Sequence, residues 1–187
     1  MLQPCLISAV SGKNNYLSGD FNAATGQNSS IVKIVKFALL NPGFRAVCVY
    51  RIQHFFYRRN RIFSAQLFFL LNHSMHGCEF LPGCEIGSRL VIRHPNGIVV
   101  GQGSQIGSGC FLQHGVTLGV AQIGLSPTNE YPRIGNYVEI GSYAVILGDV
   151  QVGDGATIGA HSLVNKNVPP NALAVGIPAK VVKIKNS

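Results

Sequence analysis

From Pro132 to Val168 one aliphatic residue returns every six positions: Ile134, Ile140, Ile146, Val152, Ile158 and Val164. A helix repeats about every 3.6 residues and a strand about every 2, so neither keeps this beat. Glycine follows four of the openers, as Gly135, Gly141, Gly153 and Gly159. Four places after each opener stands a small or β-branched residue: Val138, Ala144, Val150, Ala156, Ser162 and Val168. A period of six is a solenoid signature. Each beat is a short strand followed by a tight corner, where glycine is favoured because it accepts φ > 0. Three beats close a triangle, so about eighteen residues make one coil. The openers stack inside the prism as a one-dimensional core.

The same beat runs upstream through Ile86, Ile92 and Ile98, and through Ile106, Leu112 and Leu118. The interval of eight between Ile98 and Ile106 predicts a two-residue bulge there. The interval of sixteen between Leu118 and Ile134 predicts a loop over 119–133 that leaves the coil. Twelve beats predict four coils, with a partial coil before Ile86. The fold class that follows is mainly β, a parallel β-helix over 76–187. A helical segment precedes it at 31–75, where "IVKIVKFALL" stops at the turn Asn41-Pro42-Gly43. Residues 1–30 show no periodicity and read as a loosely ordered arm, or one docked on a neighbouring subunit.

A chain of 187 residues suits one main domain with an appendage. Its five cysteines are odd in number and form no CxxC, and no secretory signal is visible. Reduced thiols in a cytoplasmic protein are expected, with Cys110 at a small-residue beat packed in the core. The apolar run from Ile62 to Leu71 is about half the ~20 residues of a membrane-spanning helix. The net charge is +8, and eight of the fifteen basic residues precede Phe63. Arg51, Arg58, Arg59 and Arg61 read as a solvated helix face. Attraction to anionic lipid or polymer, a peripheral membrane contact, is the rival reading. Aromatic residues do not interleave with the charges of the coil, which speaks against nucleic acid.

His94 and His114 each lie two places after an opener, Ile92 and Leu112, three beats apart once the bulge is counted. They are expected to project from one face, one coil above the other, about 5 Å apart at the backbone. A lone surface histidine is a bystander; two stacked beside a bulge and a loop point to chemistry.

"CEFLPGCEIGSRLVIRHPNGIVVG", "LQHGVTLG", the beats from Pro132 to Val164 and "VPPNALAVGIPAKVV" resemble the serine acetyltransferase group of hexapeptide acyltransferases. So does "NPGFRAVCVYRIQHFFY", the helical stretch before the coils; the resemblance spans Asn41 to Val182. It implies a left-handed parallel β-helix, an exception to the usual right-handed crossover. It also implies acetyl-CoA as donor and a homotrimer with active sites between adjacent prisms.

Acetyl transfer to a hydroxyl needs a base, because an alcohol is a poor nucleophile at neutral pH. Histidine suits that task, and His94 is the candidate. A carboxylate that fixes its tautomer and stabilises the imidazolium improves it. The resemblance puts that carboxylate fifteen residues earlier, at Glu79. A backbone N–H near the bulge or loop would receive the oxyanion.

The departures from the resembled enzymes bear on the acceptor. Arg93 stands where they carry an aspartate before the catalytic histidine. Tyr131 stands where they carry a loop histidine, and His114 where they carry a glutamine. Arginine repels an α-ammonium, so a saccharide acceptor is expected, held by Arg93, Asn96, His114 and Tyr131, with serine as the alternative. For CoA, the small side chains of Ser142 and Ala160 leave room for the pantetheine arm, and Lys166 and Lys180 suit the phosphates. Two other classes stay open: a γ-type carbonic anhydrase, which lacks its third metal histidine here, and a non-catalytic assembly module, which would lack Glu79 and His94. "HSMHGC" offers metal-like spacing without a fourth ligand, so no metal is expected.

Overall fold

Local capping rules set the helices. The computed structural model describes residues 16–121 and 130–184. Helix α1 spans Tyr16–Thr25, α2 Ile31–Leu40, α3 Pro42–Tyr57 and α4 Ile62–His76. Ser30 caps α2 by accepting from the Lys33 N–H, and Asn41 caps α3 by accepting from the Phe44 N–H at 2.8 Å. Pro42 sits in the first turn of α3, where its missing N–H costs nothing. Gly77 ends α4 in the left-handed region, φ 59°.

Beyond α4 the chain winds a left-handed parallel β-helix with three faces. The first face stacks Glu79–Phe80, Val99–Val100, Thr117–Gly119, Val145–Leu147 and Leu163–Val164. The second stacks Glu85–Ile86, Gln105–Ile106, Arg133–Ile134 and Gln151–Val152. The third stacks Val91–Ile92, Phe111–Leu112, Glu139–Ile140, Thr157–Ile158 and Ala172–Gly176, and ends in an antiparallel strand, Ala179–Ile184. Every strand is two to six residues long, because the corner follows almost at once. The openers are buried in one cluster with the corner residues Cys84, Leu90, Cys110, Val116, Val138 and Ala144. Truncating a fully buried opener such as Ile140 to alanine should cost about 2–5 kcal/mol.

The structure revises the expected beat at its lower end. Val100, not Ile98, is the opener: it pairs with Phe80 below and Leu118 above. Ile98 is the buried corner residue before it. The two extra residues therefore lie between Ile92 and Val100, in the segment that carries His94. Phe80 supplies the opener of the partial coil expected before Ile86, an aromatic residue in an otherwise aliphatic row.

The reading of 1–30 as a loosely ordered arm is likewise revised over its second half. Residues 16–25 form α1, whose Asp20 is fully buried. Asp20 accepts from Arg51 Nε at 2.8 Å, Arg51 Nη2 at 3.1 Å and the Leu90 N–H at 2.8 Å. Arg51 also donates to the carbonyls of Ile86 and Gly87. A buried charge pair is tolerated only with its hydrogen bonds satisfied, and here it ties α1, α3 and the first coil together. The rest of the arm, 1–15, and the middle of the expected loop, 122–129, lie outside the described residues.

Candidate active site

The corner between the third and first faces repeats one turn in successive coils. Gly97, Gly115, Tyr143 and His161 occupy its left-handed position, with φ of 74°, 70°, 57° and 56°. The Gly115 N–H donates to Asn96 O, the Tyr143 N–H to His114 O, and the His161 N–H to Ser142 O, all at 2.8–2.9 Å. Asn96, His114 and Ser142 are therefore stacked in register, and Ala160 follows one coil higher. His94 joins the column from the inserted segment two residues before Asn96. Its ring meets the His114 ring edge-on, centroids 6.0 Å apart.

His114 has further partners. Its Nδ1 lies 3.3 Å from Ser142 Oγ, and Ser142 Oγ lies 3.5 Å from Gln113 Oε1. A proton on Nδ1 makes a chain from His114 through the Ser142 hydroxyl to Gln113, and leaves Nε2 free to accept. Its ring also stands edge-on to Tyr143 at 4.9 Å, and Tyr143 stacks on His161 at 5.2 Å. The Tyr143 ring crosses Gly115, where a Cβ would collide with its Cδ1, so this corner needs glycine. His94 is exposed and His114 half-buried. Tyr143 and His161 escaped the sequence reading because the beat marks inward residues. Their signal is a bulky residue at a corner that otherwise takes glycine.

The other expected site residues are distributed differently. Glu79 is an ion-pair partner of His73, Oε1 to Nδ1 3.2 Å, at the mouth of the first coil. Arg93 turns away along the third face, its Cζ 5.7 Å from the centre of the Phe111 ring. Tyr131 lays its ring over Gly101 and Gly103, at the corner between the first and second faces. Lys166 is exposed just past Leu163–Val164. Lys180 sits opposite Val175 in the terminal hairpin. Val175 packs over Gly159, and the Gly176 N–H donates to Ser162 Oγ, so Lys180 stands at the top of the histidine column.

Of the "HSMHGC" side chains, His76 accepts from Arg45 Nε at 2.9 Å and contacts Asn72 Oδ1 at 2.8 Å. Burial first, and then the Arg45 charge, lowers its pKa. The four described thiols are poor nucleophiles. Burial above all pushes Cys48, Cys78 and Cys84 up to about 12 and raises Cys110, whose Sγ donates to Gly135 O. A groove of about 890 Å³ along the second face, over Gly107, Gly135 and Gly153, contains neither His94 nor His114.

A triangular parallel coil with a six-residue beat places the chain among the hexapeptide-repeat proteins. The bacterial transferase hexapeptide family (six repeats) matches residues 131–166. Serine acetyltransferase of Mycobacterium tuberculosis is 32% identical over 89% of this chain and 72% of its own length. That of Helicobacter pylori strain J99 is 38% identical over 77% and 83%. Among solved structures, soybean serine acetyltransferase complexed with serine superposes with a TM-score of 0.84 and 32% identity, covering 95% of this chain and 73% of that one. Serine acetyltransferase in complex with coenzyme A from Brucella abortus strain S19 gives 0.82 and 31%, over 91% and 68%. The chain belongs to the hexapeptide-repeat acyltransferase family, alongside its serine acetyltransferases. It is an O-acetyltransferase whose acyl donor is acetyl-CoA.

Proposed function

We propose that this enzyme transfers acetyl from acetyl-CoA to the side-chain hydroxyl of serine, with His94 as general base. The observation that carries the reading is the corner column, which runs from His94 through His114, Ser142 and Ala160 to Lys180. Lys180 lies in the sixth strand of the third face, so five strand steps of about 4.8 Å separate its level from that of His94, roughly 24 Å in all. An extended donor lies along it with its thioester at His94, its arm against Ser142 and Ala160, and its phosphates toward Lys180, with Lys166 at the same upper end. His94 takes the hydroxyl proton as the oxygen attacks the thioester carbon. The imidazolium then returns that proton to the departing sulfur as the C–S bond breaks. Glu79, which pairs with His73 in this structure, is assigned as a positioning residue.

Serine takes precedence over the saccharide expected from Arg93, because the relatives named above are serine acetyltransferases and one of them is complexed with serine. The objection to serine assumed a guanidinium beside His94, whereas Arg93 rests over Phe111. A saccharide hydroxyl is the second reading. It is favoured by arginine at the residue before His94, where an ammonium needs a carboxylate. In either case the donor channel is completed by a neighbouring prism in a homotrimer acting in the cytoplasm.

The test is thiol release from acetyl-CoA with serine and with a panel of sugars and oligosaccharides. Saturable release with serine is expected. His94→Ala should lower it by roughly 10²–10⁴ while leaving acetyl-CoA affinity unchanged. A sugar with higher kcat/KM than serine promotes the second reading, and full turnover in His94→Ala overturns the assignment of the base.

A further inference from the structure

Helix α4 faces its apolar residues outward. Ala65, Asn72 and His76 form its buried side. Phe63, Leu67, Leu70 and Leu71, at helical spacing on the opposite side, are 85%, 58%, 50% and 40% exposed. Helix α2 carries a similar stripe, with Val32, Val35 and Leu39 exposed beside Lys33 and Lys36. A solvated face would be polar, so these stripes are built to be covered.

The charge around them says by what. Between Asp20 and Glu79 the sequence has no aspartate or glutamate, and it has seven lysines and arginines. Arg51 is tied to Asp20 and Arg45 to His76. The other five, Lys33, Lys36, Arg58, Arg59 and Arg61, are exposed, and none has an acidic partner among the described residues. Arg59 stacks on Phe55, 3.5 Å above the ring, which holds its charge at the turn leading into α4. Two such surfaces meeting face to face would set like charges together. An anionic bilayer satisfies both features, since its acyl region takes Phe63 and Leu67 and its headgroups take the arginines.

We propose that α4 and the Arg58–Arg61 turn dock this enzyme on the anionic leaflet of a membrane, lying on it and not crossing it. No described helix is long and apolar enough to cross. The proposal is independent of which acceptor the enzyme uses.

The experiment is flotation of the full chain with vesicles of neutral phosphatidylcholine, and of phosphatidylcholine containing a quarter phosphatidylglycerol. Binding to the anionic vesicles alone, weakening steeply with salt, is expected. One basic residue near an anionic leaflet is worth about fivefold in partition, so Arg58→Glu/Arg59→Glu/Arg61→Glu should weaken binding by roughly 100-fold or more. Phe63→Glu/Leu67→Glu should abolish binding, with kcat and molar mass by light scattering unchanged. Equal binding to both vesicle types, no binding to either, or wild-type binding by the apolar double variant overturns the proposal. So does a fall in molar mass in that variant, which would make this face a contact between copies of the chain.

Discussion

Asp20→Ala tests whether the N-terminal helix is held as described. The substitution removes both carboxylate contacts to Arg51 and the acceptor for the Leu90 N–H. Arg51 keeps the Ile86 and Gly87 carbonyls, but its charge stays in a site where the side chain is 6% exposed. Breaking one partner of such a pair costs about 3–5 kcal/mol. For a chain of this size each kcal/mol lowers Tm by about 2–4 °C, so a fall of roughly 6–20 °C is expected. The assay is thermal and urea unfolding followed by circular dichroism. Asp20→Asn keeps an acceptor for Leu90 and should fall in between. Asp20→Leu with Arg51→Met, which removes both charges, should recover much of the loss. A shift below about 1 kcal/mol for Asp20→Ala would refute the claim that this pair secures α1 to the coil.

Two further outcomes follow from the same geometry. His76 has a lowered pKa in the folded chain, so the unfolded chain binds its proton first. Its contribution to stability is complete above the ordinary histidine pKa, about 6.5, and is lost as pH falls through the lower folded value. The urea midpoint should drop between pH 7 and pH 5, and His76→Gln should flatten that drop. Gly115→Ala forces a left-handed conformation on a residue with a Cβ and displaces the Tyr143 ring. A loss of at least about 1–2 kcal/mol is expected in urea unfolding, together with lower turnover as His114 loses its ring contact.

The coil was legible from Ile134 to Val164 because the six-residue interval holds without a break through six openers. It was less so where two candidates compete. Ile98 and Val100 are equally apolar, and only pairing with Leu118 chooses between them. Phe80 broke the aliphatic pattern. Asp20, one acid in a polar stretch, carries no mark of its partner 31 residues away. In the site, counting beats brings His94 near His114, but the register sets Asn96, not His94, one coil below His114, because the two extra residues follow Ile92. The horizontal direction of a side chain is not legible that way, so the contacts of Arg93 with Phe111 and of Tyr131 with Gly101 and Gly103 had no signal in the sequence. The pairing of Glu79 with His73 depends on how α4 enters the coil, which no motif marks.

The last strand, Ala179–Ile184, runs against the direction of every strand beneath it. A parallel solenoid exposes a row of unsatisfied backbone groups at each end, an invitation to stack copies into a fibre. Here the upper row on the third face is closed by a strand of opposite polarity bearing Lys180 and Lys183, and the lower end is plugged by the helices around Arg51. On the third face, another parallel strand therefore cannot continue the stack above Ala172–Gly176, and at the lower end Arg51 already occupies the Ile86 and Gly87 carbonyls.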